Sequence, residues 1–324
     1  EQEKQDTNPK EPLPATSPKK KKKIYIDGVP MQQAARKEED KNRPNTATIK
    51  SGVLKKTAGP ATFAASYPGS GAKITWRLIR AITGIYTGDD HDHNGRVSAG
   101  HAVAVKTHYP SHAPPKLFEE SEPLKRIEQA ILLIRNPLNA LPSFHNYIYE
   151  QLNGLMNHST RAPVQAWVDW RNKHFEIEIG NWVNHTKWWI EHFPEKRLLL
   201  LPYEKLTSAQ WGPETLQQVG HYLSRVHPLI RQSLVSDSQY KCIFELLVQD
   251  GHIPGEKERR KSHRQGGPRG EYPYTNVQLE YMIQTLVQLR DEYQQKFPEL
   301  YQLLQQYLAE IVERKKQVEY LMRQ

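Results

Sequence analysis

The sequence predicts an α/β fold: a central parallel sheet with flanking helices, a P-loop-like phosphate-binding turn and a helical C-terminal region. Three observations carry this. From residue 61 short apolar runs alternate with helical stretches, the pattern of strands joined by covering helices. The first run leads straight into a glycine-framed turn and a helix, "SYPGSGAKITWRLIR" at 66–80. Near the C-terminus Leu300, Leu304, Leu308, Ile311, Val318 and Met322 mark an apolar stripe at helical spacing.

Residues 1–60 are rich in Lys, Glu, Pro, Asn and Thr and poor in large apolar side chains, a composition that cannot offset the entropy of ordering. They are expected to be a flexible basic tail or stalk. Residues 61–297 are expected to form the main domain, and 298–324 a C-terminal helix that packs on it or on a partner. The strands are read at "TFAASYP" (62–68), "HAVAVKTHY" (101–109), "QAILLIRN" (129–136) and "RLLLLPYEKL" (197–206). Between them fall a helix over 71–84, helical turns after Pro137 and a long tryptophan-rich stretch over 164–193. "ETLQQVGHYLSRV" and "SQYKCIFELLVQ" read as helices, 251–275 as a Gly-, Pro- and Arg-rich loop, and Pro298 as a break before the last helix.

The net charge of +9 is uneven, since five consecutive lysines stand at 19–23. It is compatible with anionic partners without choosing among them. Cys242 is the single cysteine, so no intrachain disulfide can form, and a buried thiol is expected. No run approaches the roughly eighteen apolar residues of a membrane span.

In a parallel sheet, functional residues collect where the strands end, because helix N-termini and loops converge there. The first strand ends in Pro68, Gly69, Ser70 and Gly71, where glycines admit close approach of the main chain to an anion and the next helix offers its N–H groups. Lys73 and Thr75 add a cation and a hydroxyl. The second strand ends "VKTHYP", with Lys106 and His108 two residues apart and therefore on one side of the strand. A neutral His108 is suited to take a proton from a hydroxyl. The third ends "LLIRNPLNALPSF", where Arg135 and Ser143 supply a planar fork and a hydroxyl for a second phosphate.

Together these segments resemble the sulfotransferases that use 3'-phosphoadenosine 5'-phosphosulfate (PAPS). "SYPGSGAKITW" resembles their 5'-phosphosulfate loop, "VKTHYP" the segment with the catalytic histidine, and "LLIRNPLNALPSF" the strand and helix that bind the 3'-phosphate. "SYPGSG" followed by "ITGIYTG" is most similar to the branch of WSC-domain-associated, membrane-anchored enzymes. The resemblance implies PAPS as cofactor, PAP as product and no metal. It implies Pro68, Gly69, Ser70, Gly71, Ala72, Lys73 and Ile74 around the 5'-phosphosulfate, and Arg135 and Ser143 at the 3'-phosphate. Tyr203 would lie near the adenine, and Arg259, Arg260, Lys261 and Arg264 in a basic loop over the 3'-phosphate. His108 would be the base, with Lys106 or Lys73 replacing the lysine that the cytosolic enzymes carry at the position of Gly69. Their adenine-stacking tryptophan aligns with Ile74, and Trp76 stands two residues on. The implied acceptor is a hydroxyl on a glycan or glycoprotein in the Golgi lumen, with membrane contact through an anchor outside this sequence and no nucleic-acid partner.

Two other classes share some of these features. A P-loop kinase or nucleotide-binding protein would need the Lys-Ser/Thr ending and a magnesium carboxylate that are missing here. A noncatalytic polyanion-binding module accounts for the charge but not for the strand-end residues. "GDDHDHNG" at 88–95 offers His and Asp ligands, yet its glycine-bounded setting reads as a solvated turn. Five of the seven tryptophans, Trp167, Trp170, Trp182, Trp188 and Trp189, are expected mostly in the core, with one or two at the cleft rim.

Overall fold

A computed structural model of the chain describes residues 25–26, 29–30, 61–89, 102–112, 127–155, 160–249 and 272–324. Two units are distinguished, Glu1–Asn42 and Arg43–Gln324. In the first, β1 (Tyr25–Ile26) and β2 (Val29–Pro30) form a short antiparallel ladder.

The second unit contains a five-stranded sheet, built from β3 (Thr62–Ser66), β4 (Tyr86–Asp89), β5 (Ala102–Thr107), β6 (Ala130–Ile134) and β7 (Leu198–Pro202). Their order is β4-β5-β3-β6-β7, and every neighbouring pair is parallel. The expected fold class is therefore the observed one. The four expected strands are present but shorter, and the edge strand β4 is an addition. Its four residues, Tyr-Thr-Gly-Asp, include a glycine and an aspartate and show no apolar run to betray a strand.

The helices are α1 (Ala72–Thr83), α2 (Pro137–Leu152), α3 (Val164–His192), a single turn α4 (Tyr203–Leu206), α5 (Gly212–Val226), α6 (Asp237–Phe244), α7 (Asn276–Tyr293) and α8 (Pro298–Met322). Strand β6 shows how they divide. Ala130, Leu132 and Ile134 join a core with α2, α3, α7 and α8, while Ile131 and Leu133 join one with α1, α5 and α6. The alternation of side chains along a strand thus buries both faces of the sheet. On α3, Trp167, Phe175, Ile179, Trp182 and Trp189 form the buried face, and Trp170 and Trp188 are half-buried at its margin.

Proline sets two helix boundaries. Pro137 opens α2 behind Asn136, whose side-chain oxygen accepts from the Leu138 N–H at 3.0 Å. Pro142 lies inside α2 and cannot donate to the Leu138 carbonyl; the Tyr274 hydroxyl does so instead at 3.2 Å. Pro298 opens α8, as expected, after α7 has ended at Tyr293.

Two sequence expectations are corrected. Leu300, Leu304, Leu308 and Ile311 are buried against the domain and Val318 is half-buried, but Met322 is 73% exposed, because the last turn of α8 runs past the core. Leu303 and Tyr307 complete the buried face. Cys242 is exposed, since Tyr240, Ile243 and Phe244 occupy the inward side of α6.

Three histidines sit buried and neutral. Burial pushes His145 and His227 down to about 4, and His185 down to about 3 with His112 adding repulsion. The His227 Nε2 lies 2.8 Å from the Thr62 hydroxyl at the start of β3. An unfolded histidine titrates near ~6.5. Each of these takes up a proton on unfolding below that value, so stability is full above pH ~6.5 and is lost as pH falls, by up to about 1.4 kcal/mol per pH unit per histidine. The urea midpoint should fall steadily between pH ~6.5 and ~4.5, and His227→Gln should make that slope shallower. Leu304→Ala should lower stability by about 2–5 kcal/mol in the same assay if α8 is docked on this domain as observed.

Candidate active site

The sheet order reverses at β3, which is flanked by β5 and β6, so the crevice lies beyond the carboxyl ends of these three strands. Residues 67–71 turn there. The Ser70 N–H donates to the Tyr67 carbonyl at 3.1 Å, and Gly69 and Gly71 take positive φ of 80° and 99°. Each glycine is also required by a neighbour. A Cβ at Gly69 would stand 2.3 Å from the Ala140 carbonyl oxygen and 2.7 Å from the Phe144 nitrogen, so the turn rests on the α2 backbone beside Ser143. A Cβ at Gly71 would stand 2.4 Å from the Tyr203 ring. The close approaches that these glycines permit within the fold are to α2 and to an aromatic ring.

Gly71 precedes α1 with no side-chain cap and no acidic residue in the first turn, leaving the positive end of the helix facing the crevice. The Ser70 side chain is buried, and its hydroxyl has no hydrogen-bond partner among the described residues. Lys73 and Ile74 are half-buried on the first turn of α1. Ile74 Cγ2 lies 3.5 Å from the same Gly71 position as the Tyr203 ring, whereas Trp76 is about 200° further round the helix. Ile74 and the Tyr203 ring thus approach the same point beside Gly71.

Arg135 closes the group. Its Nη1 donates to the Gly69 carbonyl at 2.7 Å, and its guanidinium carbon lies 4.4 Å from the centre of the Tyr203 ring. Its own carbonyl accepts from Trp182 Nε1 at 3.1 Å. Asn136, fully buried, donates its backbone N–H to Glu204 Oε1 at 3.0 Å and its side-chain amide to Glu310 Oε2 at 2.9 Å. The other Glu204 oxygen accepts from the Tyr307 hydroxyl at 2.7 Å. Burial first, and then the Glu204 carboxylate, push that hydroxyl well above its ordinary value, so Tyr307 stays a donor. Helices α3, α4 and α8 thus all fasten the end of β6.

His108 follows β5 directly. Its Nδ1 lies 2.7 Å from the Ser66 carbonyl, which can only accept, so the proton sits on Nδ1. The residue as a whole is half-buried, and burial and then the Lys106 ammonium push the imidazole well below its ordinary value, against the Ser66 bond. A neutral ring with Nδ1 protonated leaves the lone pair on Nε2. Lys106 is half-buried and pairs in register with Ala64 of β3 and Asp89 of β4.

The structure thus brings together the predicted Pro68–Ile74 segment, Arg135, Ser143 and Tyr203, and links His108 to the first strand through Ser66. Arg259, Arg260, Lys261, Arg264 and most of "GDDHDHNG" lie outside the described residues. Among the described residues no group of three His, Cys, Asp or Glu is placed to hold a metal ion, and no helix is long and apolar enough to cross a membrane. The sequence reading missed Asn136, Glu204, Tyr307 and Glu310. It also missed Glu178, although a carboxylate on the same helical face as Phe175, Ile179 and Trp182 is a legible signal.

Residues 89–212 match a family model described as a sulfotransferase domain. The match takes in His108, Arg135, Ser143 and Tyr203 and begins beyond the 67–71 turn. With the observed α/β architecture, it supports sulfuryl transfer as the class of chemistry.

Gly71→Ala should cost about 1–3 kcal/mol from strained backbone alone, with the ring contact in addition. Adding Tyr203→Ala should recover part of that loss, because the obstructing ring is gone; thermal unfolding of the single and double variants reads the coupling directly.

Proposed function

We propose that this chain transfers a sulfuryl group from PAPS to a hydroxyl, with a glycan as the acceptor. The observation that carries the reading is the bond from Arg135 to the Gly69 carbonyl. It joins a segment suited to one phosphate to a segment suited to another, and the Tyr203 ring lies against both Arg135 and Gly71. A nucleotide whose ribose carries two separate anionic groups beside an aromatic base matches that arrangement. The buried, unpartnered Ser70 hydroxyl and the uncapped amino end of α1 fit the same ligand. PAPS, when bound, supplies the activated sulfuryl group.

In this reading the amides and hydroxyl of residues 68–74 hold the phosphosulfate end, and Arg135 and Ser143 hold the 3'-phosphate. Tyr203 and Ile74 flank the adenine. Arg259, Arg260, Lys261 and Arg264 are assigned to the same phosphate on the resemblance alone. His108 Nε2 would take the proton of the acceptor hydroxyl as that oxygen bonded to sulfur and the bond from sulfur to the 5'-phosphate oxygen broke, with PAP as the leaving group. Lys106 and Lys73 offset the negative charge that accumulates on the departing side. The glycan acceptor, the membrane-anchored branch and a Golgi location rest on the likeness of "SYPGSG" and "ITGIYTG" to that branch.

PAP should raise the melting temperature and ATP with magnesium should not; equal shifts, or none, would overturn the nucleotide assignment. His108→Ala should keep the PAP shift and lose sulfate transfer to glycan acceptors by about 10²-fold or more. Because the imidazole titrates well below its ordinary ~6.5, the base stays active on mild acidification. The acid limb of kcat/KM attributable to His108 should accordingly lie below pH ~6.5, which a pH-rate profile checks.

A further inference from the structure

Glu178 has no part in the scheme above, yet the residue is only 5% exposed and its carboxylate has several partners. One oxygen, Oε2, accepts from the Tyr67 hydroxyl at 2.6 Å, from His112 Nε2 at 3.0 Å and, at longer range, from Asn181 Nδ2 at 3.4 Å. Burial alone would raise this carboxyl, but the bonds from His112, Tyr67 and Asn181 bring it below its ordinary value. It is ionised, and His112 Nε2 is the donor.

The two strong donors come from different segments. Tyr67 joins Ser66, whose carbonyl fixes the His108 tautomer, to the turn, where the Tyr67 carbonyl accepts from Ser70. His112 closes the turn after His108, donating its backbone N–H to the His108 carbonyl at 3.2 Å. One atom on α3 therefore ties the end of β3 to the end of β5. We propose that Glu178 is a positioning residue for group transfer, setting the distance between the base on one segment and the anion-binding turn on the other. This rests on the sulfuryl-transfer reading. Its force lies in the steep dependence of such reactions on placement, where an error of about 1 Å can cost about 10²-fold.

Glu178→Leu, which removes the shared acceptor, should lower kcat by about 10²-fold while PAP affinity, carried by other residues, changes by no more than a few-fold. Glu178→Gln, which keeps an acceptor oxygen at the junction, should recover kcat to within about 10-fold of the parent. Tyr67→Phe should lower kcat by about 10-fold, and combining it with Glu178→Leu should lower kcat little beyond Glu178→Leu alone, because both cut one bridge. Amide hydrogen exchange provides a readout without turnover: Ser70 and His112 should both lose protection in Tyr67→Phe and Glu178→Leu. Unchanged kcat in Tyr67→Phe, or faster exchange confined to α3, would overturn the tether, and Tyr67→Phe suffices if Glu178→Leu does not fold. A parent protein that neither binds PAP nor turns over would overturn the sulfuryl-transfer reading instead, while the exchange experiment still decides the tether.

Discussion

The bond from the Arg135 guanidinium to the Gly69 carbonyl depends on the absence of a side chain at Gly69. Any Cβ there would meet the α2 backbone at 2.3 Å and lift the turn away from the helix that carries Ser143. With the turn seated, its carbonyl faces Arg135, the arginine lies on Tyr203, and Tyr203 in turn occupies the space left by Gly71. Three segments far apart in sequence are thus fixed by two missing side chains and one charged hydrogen bond. Bonds to charged groups are among the stronger ones in proteins, roughly 1.5–3 kcal/mol, because the guanidinium is expensive to leave unsatisfied.

Support for this constellation comes from outside the crevice. Strand β6 ends in buried polar groups, and such groups stabilise a fold only when all find partners. Asn136 does so through Glu204, Glu310 and its own capping bond to Leu138, and the Arg135 carbonyl does so through Trp182. The long helix α3 and the final helix α8 are therefore more than cover for an apolar face. Their polar side chains define where the end of β6 stands, to within the tolerance of hydrogen-bond lengths.

Electrostatics divides the buried ionisable groups into two kinds. In His145, His185 and His227 burial is the first cause of neutrality, with His112 adding to it at His185. Glu178 is as deeply buried, yet it keeps its charge because donors converge on it. His108 stands between these cases, with a carbonyl on Nδ1 and a lysine nearby. The outcome is a neutral ring with a defined tautomer, which general-base chemistry at physiological pH needs.

The sequence alone was sufficient for the α/β class, for four of the five strands of the parallel sheet, and for placing Pro68–Ile74, Arg135 and Tyr203 at strand ends. These are local properties: apolar runs, glycines in tight turns and the strand-to-helix punctuation at Gly71 and Pro137 are written in neighbouring residues. Strand β4 was not legible, since "YTGD" has little strand character of its own and is held by pairing with β5. The exposure of Cys242 and Met322 likewise depended on which side of α6 and α8 the rest of the chain would cover. Tertiary structure alone decided that Ile74 and the Tyr203 ring approach the same point beside Gly71, that Tyr274 bonds the carbonyl Pro142 cannot serve, and that Glu178 joins Tyr67 to His112. Each contact made here spans more than sixty positions, and such a contact exists only once the sheet and its helices have brought the two ends together.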